Sequence, residues 1–195
     1  PGAAGMPAGP FVNGDFAIAE TGVEGFGWVL DGPAEIGDGA LVLAEGVPDD
    51  GRALQHFVLP EGAEQLSVTF TPRFAIDREA GPQDAFEIAL RRTAAADGPV
   101  APVALSRSDA AFNLQSDGTV HLGEGVVATG LDDAGRAVSG QPLTVSVDLS
   151  GETPGATLAL WLDLLGTGAL GSDVEVDSVR LGAAGNSAPV ARDDA

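Results

Sequence analysis

Trp161 and Asp163 have the side chains and the spacing that a sugar-binding surface needs. From Leu158 to Leu164 every second residue is Leu. Because side chains in a strand alternate between its two faces, the Leu residues are expected to face the core and Trp161 and Asp163 the opposite side. An outward Trp offers a flat apolar platform, and a nearby carboxylate accepts hydrogen bonds from sugar hydroxyls. The pattern therefore predicts a shallow carbohydrate-binding surface.

Three further charged residues are expected on this outward face, namely Arg73, Glu87 and Arg91, if their strands pair in neighbouring order. They would add hydrogen-bond donors and a second carboxylate around the indole ring. The alternative is that a loop or a second layer covers Trp161, which would make it a structural residue.

Several catalytic chemistries are excluded by residue type. The chain has no Cys and no Lys, and its two His residues, His56 and His121, are not at the helical spacing of a zinc hydrolase. A Gly-x-Ser-x-Gly nucleophile motif is absent as well. Glycoside hydrolysis by two carboxylates stays open, because acidic residues are numerous and their separation in space is unknown. We expect a protein that is not an enzyme.

The charge excludes two classes of partner. The 195 residues carry a formal net charge of −20, which would repel nucleic acid and anionic membranes. No apolar run is long enough to insert in a membrane. Such acidity suits bound divalent cations, a salty environment or plain solubility.

The elements that must position these residues are strands. Short segments of alternating apolar residues, separated by Gly, Pro and Asp, fill the region from 11 to 181. The pattern predicts an all-β, antiparallel β-sandwich. Strands are expected around residues 41–44, 54–59, 66–71, 86–91, 111–115, 120–122, 143–149, 158–164 and 174–181.

The last of these strands changes phase near Asp177. Val174 and Val176 share one face, and Val179 and Leu181 share a face that is out of phase with it. A bulge at Asp177–Ser178 would return both pairs to the core. Such an irregularity leaves side chains and carbonyls free to bind something.

Two motifs at the ends of this region resemble those of jelly-roll carbohydrate-binding modules. Asn13-Gly14-Asp15-Phe16 and then Gly27-Trp28 resemble the opening of such modules, and the segment from Val176 to Leu181 resembles their closing strand. The resemblance implies a jelly-roll fold in which Trp28 packs inside. It also implies glycan binding without catalysis.

The same resemblance implies a structural calcium ion that joins the first strand to the last. Asp177 matches the closing ligand position, whereas Ala17 stands where the family has a Glu. Asp15 or Glu20 would then have to substitute for the missing ligand. Because calcium takes six to eight oxygens, backbone carbonyls or water would complete the set.

The two ends are predicted to be linkers, residues 1–10 and 182–195. The last ten residues, Asn186 to Ala195, resemble the connector that leads into cadherin-like or RTX-type repeats of large bacterial surface proteins. This resemblance implies a secreted or cell-surface adhesin in which neighbouring repeats of the same chain are partners.

Three functions remain in competition at this stage. The first is a glycan-binding module with a calcium ion, and the second is a calcium-stabilised spacer with no small ligand. The third is a glycosidase-like enzyme. The position of Trp161 separates the first from the second.

Overall fold

A computed structural model describes most of the chain, namely residues 9–46, 49–74, 83–93, 98–105, 108–166 and 171–183. This part contains thirteen strands and no helix. The strands are β1 Val29–Asp31, β2 Ala34–Gly37, β3 Ala40–Ala44, β4 Arg52–Val58, β5 Gln65–Arg73, β6 Ala85–Arg92, β7 Gly98–Pro99, β8 Phe112–Gln115, β9 Val120–Leu122, β10 Val126–Thr129, β11 Leu143–Asp148, β12 Thr157–Leu165 and β13 Asp173–Gly182. No helix of the described residues is long and apolar enough to cross a membrane.

The strands form two antiparallel sheets that pack face to face. The seven-stranded sheet has the order β1-β4-β12-β6-β8-β9, with β7 paired to β6. The six-stranded sheet has the order β10-β11-β5-β13-β3-β2. The predicted all-β, antiparallel, jelly-roll-like sandwich is therefore confirmed. The successive strands β3, β4, β5 and β6 alternate between the two sheets, so no two consecutive strands among these four pair with each other.

One apolar core fills the space between the sheets. Alternate residues of each long strand point into it, which is the arrangement that the sequence pattern predicts. Phe70 of β5 lies at its centre and contacts Phe86 and Phe112 of the other sheet, with ring centroids 4.8 and 5.7 Å apart. All three rings are completely buried, so aromatic contacts join the two sheets directly.

The predicted bulge in β13 is confirmed. Val176 pairs with Phe70 and Ser178 with Thr69, so the register with β5 shifts at Asp177. Val176 and Val179 are both buried on the core side. The extra residue thus restores the phase of the strand, and the side chain of Asp177 is exposed.

The first described segment packs against the last strand. Val179 donates a backbone hydrogen bond to the carbonyl of Gly14 at 2.7 Å, and a Cβ at Gly14 would collide with the carbonyl oxygen of Val179. Only glycine allows this approach. Trp28 is buried, as expected, and its indole N–H donates to the carbonyl of Asn13 at 3.0 Å.

Four short strands were not predicted, β1, β2, β7 and β10. Each has two to four residues, too few for an alternating pattern to be visible. The tail resemblance from Asn186 to Ala195, and residues 1–8 of the predicted N-terminal linker, lie outside the described residues.

Candidate functional site

The outward face of the seven-stranded sheet carries the candidate site. Residues opposite each other in the register share a face, so the pairings place its side chains in rows across the strands. The central row, the Trp161 row, consists of Val29, Leu54, Trp161 and Ala89. Beside it the charged row consists of Asp31, Arg52, Asp163, Glu87, Asn113 and His121. On the other side lie His56, Ala159, Arg91 and Pro99.

Trp161 is half-buried on this outward face, which confirms its predicted orientation. Its register partner on β6 is Ala89, and Ala159 precedes it on the same side of β12. Ala89 is partly exposed, whereas Ala159 is only 1% exposed and is therefore covered. The indole thus forms a partly exposed aromatic platform bordered by Ala89.

Arg52 lies over one side of this platform. Its guanidinium carbon is 5.6 Å from the centroid of the Trp161 ring, within the range of a cation–π contact. Its Nε donates a short hydrogen bond to Oδ1 of Asp163, and the two side chains are 43% and 20% exposed. Arg52 is therefore fixed by the ring and the carboxylate together.

Asp163 is a partly buried titratable group of this face. Burial raises its pKa above the usual value of an aspartate, and the neighbouring Glu87 raises it further. The hydrogen bond and the charge of Arg52 act in the opposite direction without cancelling the effect. On the guanidinium side, the hydrogen bond to Asp163 raises the pKa of Arg52. Protonation of Asp163 therefore begins at a higher pH than for an ordinary aspartate.

Glu87 continues the row as a carboxylate held by two donors. Its Oε1 accepts hydrogen bonds from Ser108 Oγ and from Asn113 Nδ2, each at 2.8 Å. Asn113 is only 5% exposed, and its Oδ1 is buried with no hydrogen-bond partner among the described residues. Because Glu87 only accepts, it fixes the orientation of the amide and leaves this oxygen unmatched.

The far side of the platform is also charged. Arg91 Nη1 donates to Asp109 Oδ2 at 2.7 Å. Both side chains are exposed, at 39% and 53%, so this ion pair adds little stability. At the edge of the sheet, the side-chain nitrogen of Gln115 lies 3.5 Å from Nε2 of His121.

The expectation that Arg73 shares this face is wrong. Arg73 ends β5, which belongs to the six-stranded sheet. There it pairs with Asp173 at 3.0 Å and with Glu175 at 2.7 Å. The strands β5 and β6 follow each other in sequence but lie in different sheets. Alternation therefore predicted correctly that Arg73 points outward, but not which of the two sheets carries it.

The residues predicted to bind metal are all exposed, namely Asp15, Glu20 and Asp177. Gly14, next to Asp15, packs against Val179, two residues after Asp177. The first and last segments therefore meet where the calcium prediction expects them. Among the described residues, however, no three His, Cys, Asp or Glu side chains are grouped in a way that could hold a metal ion.

Two residues of the site were missed from the sequence, Arg52 and Asn113. The outward alternation of Arg52, Leu54 and His56 was visible in principle. Their partners are far along the chain, because Asp163 lies 111 positions after Arg52 and Glu87 lies 26 before Asn113. Only the strand order brings them together.

An apolar groove of about 650 Å³ lies elsewhere, along the first described residues. Its lining consists of Gly9, Pro10, Phe11, Val58, Pro60 and Leu181. These residues offer no polar side chain, so this groove cannot provide the hydrogen bonds that orient a sugar.

Three solved carbohydrate-binding modules have a similar fold. A CBM28 module specific for non-crystalline cellulose is 16% identical, with a TM-score of 0.46 over 90% of this chain and 96% of that one. A CBM4 structure is 12% identical (TM-score 0.38, 88% and 83% covered), and the mannan-recognising module TmCBM27 is 15% identical (0.39, 80% and 87%). No protein-family model matches the chain, and no curated protein matches it. At such low identities and TM-scores the likeness carries no information on the ligand, which must be argued from the residues of this chain.

Proposed function

We propose that this chain is a non-catalytic module that binds a glycan on the outward face of its seven-stranded sheet. The observation that carries the proposal is the position of Trp161, half-buried at the centre of that face and bordered by the charged row. A partly exposed indole stacks on the apolar face of a sugar ring, and polar groups at its edge accept hydrogen bonds from the hydroxyls and donate hydrogen bonds to them.

The polar groups are held in place before any ligand arrives. Arg52 is tied to Asp163, and Glu87 is tied to Ser108 and Asn113. Groups that are already oriented lose little entropy on binding, which favours affinity. The arrangement therefore suits recognition of a ligand with many hydroxyls.

The same geometry favours binding over glycoside hydrolysis. Glu87 and Asp163 are direct register partners on adjacent strands, so their Cβ atoms lie about 5 Å apart on one side of the sheet. A glycosidase places its two carboxyl groups on either side of the bond that it cleaves. Here one carboxylate is already bound to an arginine and the other to two donors, which favours recognition over acid–base catalysis.

The test is a glycan array followed by titration calorimetry on the glycans that bind. We expect Trp161→Ala to weaken binding at least tenfold, about 1.4 kcal/mol or more, because the stacking surface is removed. Thr69→Ala on the opposite sheet is the matched control and should bind like the wild type. Wild-type affinity in Trp161→Ala, or no binding to any glycan on the array, would contradict the proposal.

We also propose the setting that the tail and end motifs imply, a secreted or cell-surface adhesin with neighbouring repeats and a calcium ion near Asp177. The support is the resemblance together with the contact between the segment of Gly14 and the strand of Asp177. Thermal unfolding in calcium and then in chelator tests the ion, since a ligand of the folded state alone raises stability. An unchanged midpoint would contradict a tightly bound structural calcium ion.

A further inference from the structure

The Arg52–Asp163 pair, at the edge of the aromatic platform, has hydrogen-bonding atoms that are not used within the pair. Nε of Arg52 is used by Oδ1 of Asp163. Within the part of the chain that the structure describes, no protein group hydrogen-bonds to the two Nη atoms of Arg52 or to Oδ2 of Asp163. Both side chains are partly exposed, at 43% and 20%, so the pair can be reached from solvent beside Trp161.

These unused atoms place hydrogen-bond donors of Arg52 beside a hydrogen-bond acceptor of Asp163. A sugar hydroxyl can both donate and accept a hydrogen bond. Of two hydroxyls on adjacent ring carbons, one can therefore accept from the protein while the other donates to it. The guanidinium supplies the N–H groups, and the carboxylate oxygen next to it supplies the lone pairs. The cation–π contact holds the guanidinium near the ring, so a sugar stacked on the open part of the indole would have its edge at this pair.

The charges on the face argue against an acidic sugar. Four carboxylates, on Asp31, Asp163, Glu87 and Asp109, accompany two arginines that are both already paired. The whole chain adds a net charge of −20. A uronate would have to compete with Asp163 for Arg52 while its own charge is repelled by the remaining carboxylates.

We propose that the Arg52–Asp163 pair determines which glycans this module takes, namely neutral ones that present two adjacent free hydroxyls, with uronate chains excluded. The inference rests on the proposed glycan-binding function and adds the substrate class and the residues that select it.

The experiment is a set of calorimetric titrations with cellohexaose, mannohexaose and xylohexaose as neutral probes and hexagalacturonate as the acidic one. The wild type is expected to bind at least one neutral probe and to bind hexagalacturonate at least tenfold more weakly, also at physiological salt. Tighter binding of hexagalacturonate than of every neutral probe would overturn the inference.

Variants separate the two roles of the pair. Asp163→Asn keeps an acceptor and removes a charge, so it should raise the affinity for hexagalacturonate severalfold. Arg52→Lys keeps the charge that balances Asp163 but lacks the planar fork, so it should fold normally and lose roughly tenfold in neutral-glycan affinity. Arg52→Ala should lose at least as much, and circular dichroism checks that each variant is folded.

The outcome for Trp161→Ala distinguishes the proposed glycan binding from the proposed selection by the Arg52–Asp163 pair. If Trp161→Ala loses binding while Arg52→Lys and Arg52→Ala keep wild-type affinity, the site binds glycan and the selection by Arg52 is wrong. If Trp161→Ala also binds like the wild type, the proposed function fails together with the inference.

Discussion

The outward faces of the two sheets are built by the same alternation and carry different chemistry. On the six-stranded sheet, short hydroxyl side chains face each other across β5 and β11. Ser67 and Ser146 lie 3.0 Å apart, and so do the hydroxyls of Thr69 and Thr144. On the seven-stranded sheet the equivalent positions hold Trp161 and the long side chains of the charged row.

The two faces differ in the hydrogen-bonding groups and the aromatic surface that they leave available to a ligand. In each hydroxyl pair on the six-stranded sheet the two side chains are already partners of each other, which stabilises the sheet and leaves little for a ligand. The other face keeps an aromatic ring half-buried and holds charged groups that still have unused donors and acceptors. Donors and acceptors without partners cost stability, and a surface that keeps them is suited to binding a ligand.

The largest expected effect tests whether the two faces depend on one core. Phe70→Ala removes the completely buried ring that contacts Phe86 and Phe112 across the sandwich. We expect the free energy of unfolding to fall by about 3–5 kcal/mol, because a large cavity forms where both sheets meet. Urea unfolding followed by tryptophan fluorescence measures it. A loss as small as that of the outward variant Thr71→Ala would show that the sheets are held together in some other way.

The next effect concerns the hydrogen bonds of the charged row. Glu87→Ala removes the acceptor of Ser108 and of the buried amide of Asn113, whose oxygen already has no partner among the described residues. We expect a loss of about 1–3 kcal/mol in stability, because a buried donor is then left unmatched. Glu87→Gln, which keeps an oxygen acceptor, is the control and should lose less. Equal stability of both variants would mean that the amide is solvated.

The third prediction is a pH dependence confined to one face. Burial and Glu87 raise the pKa of Asp163, so its carboxyl takes up a proton at a higher pH than an ordinary aspartate would. Glycan affinity should be full where Asp163 is ionised and paired with Arg52, and should fall as the pH drops through this raised pKa. Glu87 and Asp31, which lie in the same row, are unchanged in the Asp163→Asn variant used as the control.

Calorimetric titration from neutral to mildly acidic pH measures this dependence, and Asp163→Asn is the control. The variant has no carboxyl at this position, so its affinity should change much less over the same range. An equally steep loss in Asp163→Asn would assign the effect to another group.

The smallest expected effect is on the outward face of the six-stranded sheet. Thr69→Val removes one hydroxyl of the pair with Thr144 and keeps the branched shape. We expect a loss of at most about 1 kcal/mol in stability, because the remaining hydroxyl is partly exposed and can turn toward water. Glycan affinity should not change. A drop in affinity comparable with that of Trp161→Ala would remove the functional distinction between the faces.

Much of this architecture could be predicted from the sequence, because strand alternation is a local property. It gave the outward side for Trp161 and Asp163, and the phase change in the last strand located the bulge at Asp177. It failed for Arg73, because the side of a strand does not specify which sheet the strand joins. Arg52 was missed for a related reason, since its importance comes from partners on β12 that only the strand order supplies.

The attachment of the two ends of the described body also has a mechanical consequence. The first described residues and the end of β13 lie side by side, since Gly9 and Leu181 line one groove. Val58 of β4 donates a backbone hydrogen bond to the carbonyl of Gly9, and Glu64 donates one to the carbonyl of Gly182 at the end of β13. A force that pulls the two ends apart would therefore act on both sheets at once, through β4 and through β13. Because β4 pairs with β12, tension on the chain would reach the Trp161 face directly.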